Sequence, residues 1–297
     1  MKLLLVFNPG ASSGRALGRL TAIERAFAEH NIQHELVMTE SPGHAIQIVS
    51  KATLSAYDGL ISAGGDGTLF EVLNGLYEHN KQAHIPLGVI PIGTGNAFSR
   101  DLGLRPGDWQ GAVNLIAQGN VRQVDVARVD TGSERFYFLN IIGMGFAVDA
   151  GLTAVRFKPL GRVAYTLGTL WQTLKLASYP LRIQLDGQVI EQDNVFVEIS
   201  NTRYTGTSFL MAPSAKMDDG LLDVILLRRL SRLRLLRLFP SIYSGRHVNY
   251  EEVTVRKAKV IRLLRPRQLP LAVDGEFRGE SPAVITCLHR DLTLFGC

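Results

Sequence analysis

The sequence predicts an α/β domain followed by a mostly antiparallel β domain, on two observations. Up to about residue 125, short apolar runs alternate with helix-period segments; beyond it, apolar residues recur at every second position. A length of 297 residues agrees, because it suits two domains of ordinary size, each with its own core. A hydrophobic content of 46% with 20% charged residues is globular, and no low-complexity tract or internal repeat interrupts it. The expected boundaries are 1–125, joined by a C-terminal segment 288–297, and 126–287.

In the first domain LLLVF precedes LTAIERAFAEH, ELVMT precedes HAIQIVSKA, GLISA precedes TLFEVLNGL, and LGVIPI precedes a short helix and GAVNLIAQG. Each pair reads as a βα unit on a parallel sheet, whose ligands bind beyond the carboxyl ends of the strands. MKLLLVF imitates a signal peptide, but Asn8-Pro9-Gly10 ends the apolar run too early for one, so a buried first strand in a cytosolic protein is expected.

The second domain reads as strands in VDVARVD, RFYFLNII, RIQLDGQVI, NVFVEIS, LLDVILL, EVTVRKAKVIRLL, LPLAVDGE and AVITCL, with turns such as Asp186-Gly187, Asp219-Gly220 and Asp274-Gly275 between them. Two helical insertions break the pattern. One, at 159–178, aligns Leu160, Val163, Ala164, Leu167, Leu170, Trp171 and Leu174 in a stripe read as core. The other is RRLSRLRLLR at 228–237, where arginines alternate with leucines and no acid occurs. It is read as an arginine-covered helix with Leu230, Leu233 and Leu236 inside; attraction to anionic lipid is the second reading, and nucleic acid is not expected as a partner. Cys287 and Cys297 have no metal-ligand spacing and are read as thiols.

The chemistry concentrates in glycine-rich stretches. In SAGGDGTLFEVLNGL a strand runs into Gly64, Gly65, Asp66, Gly67 and Thr68 and then into a helix. Glycines let the backbone approach a bulky anion, and a helix N-terminus favours phosphate. An aspartate there repels phosphate unless it holds Mg²⁺ or orders the loop; a plain turn with Asp66 as N-cap is the bland alternative. IPIGTGNAFSRDLGL repeats the design with Gly93, Thr94, Gly95 and Asn96. It is not a dinucleotide fingerprint, since Phe98 stands where the last glycine belongs, and no Gly-Lys pair makes a P-loop.

FNPGASSGRA opens the chain with a third such loop, which also reads G-x-S-x-G. A serine nucleophile is disfavoured there. On the first strand no earlier loop completes an oxyanion hole, Pro9 removes an amide, and neither His247 nor His289 has an evident acid partner in the sequence.

NPGASSGRA, GGDGTLFEVLNGL, PIGTGNAFSRDLGL, DVARVD with FLNIIGMGFAVD, KMDDGLLDV and AVDGE occur in an order and spacing that resembles the bacterial diacylglycerol kinase and YegS-like lipid kinases, relatives of sphingosine kinases. The resemblance spans nearly the whole chain. It implies an N-terminal α/β domain like those of NAD kinases and phosphofructokinases, a β-sandwich-like second domain, and an active site in the cleft between them. It implies ATP as donor, Mg²⁺ as metal, a lipid hydroxyl at a membrane surface as acceptor, and a cytoplasmic enzyme peripheral to the inner face of the membrane. Anionic phospholipid and a homodimer are compatible with it.

Nucleotide contacts carry over onto Asn8, Pro9, Gly10, Ser12, Ser13, Gly14, Thr39, Gly64, Gly65, Asp66, Gly67, Thr68, Leu69, Glu71, Gly93, Thr94, Gly95 and Asn96. The proton acceptor falls in LAVDGEF: both Asp274 and Glu276 have the right chemistry, and similarity to the family points to Glu276 with Asp274 as partner or alternative base. On pattern alone the stretch is a hairpin turn with a solvated Glu276. KMDDGLLDV resembles the family's structural metal loop, with the Asp219 carboxylate and the Lys216 and Leu221 carbonyls around Mg²⁺ or Ca²⁺. Lys216 stands where some relatives have an acid, and Ala97 where the family commonly has Asp, which removes a partner for Arg100. A small-molecule kinase resembling NAD kinase, and a nucleotide-dependent membrane-surface regulator without catalysis, are the rival readings.

Overall fold

Leu3 to Phe7 are apolar without alternation, which suits a central parallel strand covered on both faces, and this stretch lies in the middle of the first sheet. The computed structural model describes residues 1–79, 85–146, 148, 176–206 and 208–296. The chain divides into two units: Met1–Val126 with Tyr137–Leu139 and His289–Cys297, and Ala127–Phe136 with Asn140–Leu288.

In the first unit β1 (Lys2–Phe7) lies parallel between β2 (Gln33–Met38) and β3 (Gly59–Gly64), and β4 (Leu87–Pro91) continues the parallel sheet beyond β3. The chain steps from β1 outward to β2 and returns to β3 on the other side, so a topological switch falls between β1 and β3. That is where open α/β sheets bind ligands. Helices α1 (Leu20–Glu29), α2 (His44–Lys51), α3 (Asp66–His79), α4 (Ala97–Asp101) and α5 (Trp109–Ala117) follow the strands. Leu3, Leu5, Phe7, Ile61 and Ile90 pack with Ile23 and Phe27 of α1 and with Val113 and Ile116 of α5. The strand β5 (Val121–Asp130) leads out of this unit.

The second unit contains the start of β6 (Arg135–Phe138), β7 (Ile141–Gly145), β8 (Tyr179–Leu185), β9 (Gln188–Ser200), β10 (Tyr204–Thr205), β11 (Phe209–Leu210), β12 (Leu222–Arg228), β13 (Val253–Ala258), β14 (Val260–Arg265), β15 (Pro270–Val273), β16 (Glu276–Glu280) and the start of β17 (Ala283–Phe295). Its backbone is β9, whose first half pairs with β8 and whose second half is flanked by β7 and β12, all antiparallel. The strand β15 pairs with β7 and with β16, and β13 pairs with β12. The α/β-then-antiparallel-β fold class is therefore correct.

One surface expectation is reversed. The arginine-rich stretch does form a helix, α6 (Arg232–Leu238), but Leu235 and Leu238 are its buried residues while Leu233 and Leu236 face water and Leu230 is half-buried. Leucines occupy both candidate stripes, so periodicity could not choose between them. The winning stripe continues into Ile242 of the following turn and shares one apolar cluster with Phe209, Met211, Ile225 and Leu227. Most of the other insertion, 159–178, lies outside the described residues, as does Cys297. Cys287 is buried in β17. Among the described residues no helix is long and apolar enough to cross a membrane.

Candidate functional site

Three loops at the carboxyl ends of β1, β3 and β4 are bonded to one another. Asn8 donates its side-chain amide to Thr68 Oγ1 at 2.9 Å and accepts the Gly10 amide at 2.9 Å, tying the first loop to the start of α3. Ser12 donates its hydroxyl to the Ile92 carbonyl at 2.8 Å, tying the same loop to the third. The Ile92 and Gly93 amides both donate to the Gly64 carbonyl, at 3.0 and 2.9 Å. Gly93 has no alternative as a residue type: a Cβ there would lie 2.3 Å from Gly65 Cα, so the two glycines let the second and third loops touch.

Asp66 does not cap its own helix. Its carboxylate accepts the Ala97 amide at 3.1 Å and the Phe98 amide at 3.4 Å, so it holds the N-terminus of α4. Loss of water around the carboxyl pushes its pKa up, and the α4 amides pull it down. Asp66 thus orders the neighbouring loop. Ala97, at the position where the resemblance led one to expect an acid, supplies its main-chain N–H to that cap and buries its methyl. Asn96 closes the same loop with left-handed backbone, accepting from the Gly93 amide and donating to the Gly93 carbonyl.

Glu71 reaches from α3 to α2, accepting the Gly43 amide at 2.8 Å and the Ala45 amide at 3.1 Å. Thr39 is buried at the end of β2, its amide on the Phe7 carbonyl.

What the interlocking leaves over suits an anion. Ser12, Ser13 and Gly14 are three consecutive left-handed residues, and the amides of Ser12, Ser13, Thr94 and Gly95 donate to no acceptor among the described residues. The first turn of α3 adds N–H groups that have no partner within the helix, at its positive end. Backbone donors converging from three loops are the chemistry of a phosphate cradle. They do not make a serine nucleophile. Ser12 donates to a carbonyl rather than to a base, and of the two late histidines the one with an acid partner, His289 on Asp125 at 2.9 Å, is bonded elsewhere in this unit. That pair corrects the expectation that His289 has no evident acid; it forms through a separation in sequence that no local pattern reveals.

In the second unit Asp274 and Gly275, both left-handed, make a two-residue turn between β15 and β16, with Val273 opposite Glu276. Asp274 is only 4% exposed, and one of its carboxylate oxygens accepts the Ile141 amide at 2.8 Å and the Asn140 amide at 3.2 Å. Glu276 is exposed on the far side of the turn. Asn140 extends the arrangement, accepting from Thr202 Oγ1 and taking the Asn201 amide on its carbonyl at 2.9 Å. Asn140, Asn201 and Thr202 are all buried, and no reading of the sequence had singled them out. The one signal was an asparagine interrupting each of two apolar runs, FLNII and EISN.

Asp219 sits in a tight turn, accepting the Leu221 amide at 3.1 Å, and Lys257 places its ammonium 2.8 Å from the same carboxylate and 3.0 Å from Asp223. A carboxylate and two main-chain carbonyls, as Asp219, Lys216 and Leu221 offer, are the donor types a hard cation takes, and the Lys257 ammonium competes for the Asp219 charge. No group of three or more His, Cys, Asp or Glu is placed to hold a metal among the described residues.

Comparison with known proteins finds two family matches along the chain. Residues 2–129 match the diacylglycerol kinase catalytic domain, and residues 140–296 match the YegS C-terminal NAD kinase beta sandwich-like domain. The chain is 33% identical over 295 residues to a diacylglycerol kinase of Mycobacterium tuberculosis, covering 98% of this chain and 94% of that one. It is 30% identical over 300 residues to a diacylglycerol kinase of Staphylococcus carnosus, with 98% and 94% covered. A crystal structure of a diacylglycerol kinase from Bacillus anthracis superposes with a TM-score of 0.74 at 27% identity, covering 100% of this chain and 97% of that one.

Proposed function

The chain belongs to the diacylglycerol kinase family, and on that premise we propose that it transfers the γ-phosphoryl group of ATP to the hydroxyl of a diacylglycerol-like lipid. It is a lipid kinase. The observation that carries the nucleotide half is the set of main-chain donors left over where the three loops interlock.

In the reaction the acceptor oxygen bonds to the γ-phosphorus, the bond from that phosphorus to the β,γ-bridging oxygen breaks, and the hydroxyl proton leaves to a carboxylate. Phosphoryl transfer asks mainly for positioning and charge neutralisation, so the protein's work is to fix loops and one base. Asn8, Thr68, Ser12 and Gly93 fix the first, second and third loops against each other, and Asp66 fixes the start of α4. For the base, the local order around the hairpin favours Asp274 over Glu276. Two amides hold its carboxylate in one orientation, whereas Glu276 stands exposed.

A divalent ion, Mg²⁺ in this reading, supplies charge neutralisation on the phosphates when bound. Lys216, Asp219 and Leu221 would hold a second, structural Mg²⁺ or Ca²⁺. The same reading makes the protein a cytoplasmic enzyme of phospholipid metabolism that meets its acceptor at the membrane surface.

The test is incubation with Mg²⁺, γ-labelled ATP and vesicles carrying diacylglycerol, phosphatidylglycerol, monoacylglycerol or a sphingoid base, followed by extraction. Label in a lipid is expected, diacylglycerol first. Label in NAD and in no lipid would overturn the proposal.

A further inference from the structure

Between Arg228 and Tyr250 the chain carries arginines and no acid. Ser231 caps α6 by accepting the Arg234 amide, and Leu235 and Leu238 fasten the helix to the apolar cluster beneath. At about 100° per residue the outward arc reads, in order, Arg232, Leu236, Leu233, Arg237. Two leucines thus stand side by side with an arginine at each edge. Leu233 is 71% exposed and Leu236 40%. In the turn that follows, Phe239–Ser244, Tyr243 is 48% exposed while its ring lies 5.0 Å from that of the buried Phe209.

The arginines divide into two groups. Arg234 is bonded to Glu252 at 2.6 Å, and Arg228 and Arg229 face Glu251 and Asp193 at 3.7 and 3.8 Å. Arg232 and Arg237, which flank the leucines, have no acidic partner among the described residues. Positive charge therefore brackets the exposed apolar strip.

We propose that α6 and the turn after it are a docking surface for an anionic lipid membrane. Leu233, Leu236 and the Tyr243 ring would enter the boundary between headgroups and acyl chains, and Arg232 and Arg237 would reach back to lipid phosphates. Apolar centre, basic edges and an aromatic ring at the rim are what an interfacial helix needs. A nucleic-acid backbone would use the arginines but gains nothing from the leucines. The surface rests on the lipid-kinase reading for its purpose, since a soluble enzyme must sit on the bilayer to reach its acceptor.

Sedimentation of the full chain with vesicles tests it, without nucleotide or diacylglycerol, comparing phosphatidylcholine alone with an equimolar mixture of phosphatidylcholine and phosphatidylglycerol. The chain should bind the mixed vesicles and be released by salt. Arg232→Glu with Arg237→Glu should weaken binding about thirtyfold or more, and Leu233→Ser with Leu236→Ser about tenfold. Both pairs should leave the melting temperature unchanged. They should also spare phosphorylation of a dispersed short-chain diacylglycerol.

Unaltered vesicle binding in both pairs, equal binding to phosphatidylcholine alone, or a dimer that the leucine pair dissolves would overturn the proposal. Vesicle binding lost in the variants of a protein that phosphorylates no lipid would support the surface and sink the kinase reading instead.

Discussion

The two units hold their polar groups in opposite ways. In the first, the side chains that matter lie in short glycine-rich stretches and bond to main chain at the next strand end: Ser12 to Ile92, Asp66 to Ala97 and Phe98, Glu71 to Gly43 and Ala45. In the second, Glu198 on β9 and Asn140, Asn201, Thr202 and Asp274 in the turns at strand ends are buried. A site built from loops is rigid because backbone meets backbone, with little room for side chains. A site built inside a sheet is rigid because its polar groups are dry, and it answers to charge. Substitutions should therefore act through shape in one unit and through ionisation in the other.

The largest effect is expected from charge removal in the second unit. Asp274→Asn keeps the shape of the turn but removes the carboxylate proposed as proton acceptor, and should lower kcat by about 10²–10⁴ with ATP affinity retained. Glu276→Gln, at an exposed position, should cost far less. Steady-state kinetics on the two variants ranks them, and the reverse order would return the base to Glu276.

Next comes Glu198, 1% exposed in β9 and bonded by the Thr205 hydroxyl at 2.6 Å and the Ser200 hydroxyl at 3.1 Å. Its register partners, Gly143 on β7 and Ile225 on β12, carry no charge. Burial pushes its carboxyl from 4.5 up to about 7, against the two hydroxyls, which pull it down. The folded chain then keeps this proton where the unfolded chain has lost it. The contribution to stability is full below 4.5, declines as pH rises and is lost above about 7, a change of roughly 3 kcal/mol. Glu198→Gln should flatten that decline and make the variant the more stable one above pH 7. Denaturant melts across the range would show it; parallel curves for the two proteins would mean that Glu198 is charged throughout.

These two regions also differ in how far the sequence discloses them. NPGASSGRA, GGDGT and PIGTGN are contiguous, and close approach of backbone demands glycine, so the loops advertise themselves. Even there, the partners of Asp66 and Glu71 were invisible, because each is a main-chain amide on a different loop. In the second unit the Asp-Gly turn at 274 was readable, but the Asn140–Thr202 contact depends on which residues the register sets side by side. For α6 the difficulty was of another kind: leucines on two stripes gave two equivalent helices in sequence, and only the packing on Phe209 and Ile242 chose between them.

A shape effect in the first unit should come third in size. Gly93→Ala sets a methyl 2.3 Å from Gly65 Cα, a main-chain atom that cannot rotate away. Separating the second and third loops should cost about 1–3 kcal/mol of stability and weaken nucleotide binding, with no dependence on pH. Thermal melts with and without ATP test both, and a variant that melts and binds as the parent does would mean that the loops are not braced at this contact.

The smallest effect concerns a charged cluster of the second unit that is only partly buried. Lys257 faces both Asp219 and Asp223, so the turn at Asp219 already has a cation when no metal is bound. Mg²⁺ should raise the melting temperature of the parent chain by only a degree or two, since the ion gains what the ammonium gives up. Lys257→Met removes the competitor. The variant should be less stable than the parent in a chelator and regain more than the parent does on adding Mg²⁺, while Asp219→Asn should abolish the response in either background. Equal metal response with and without Lys257 would show that ammonium and metal do not share the Asp219 carboxylate.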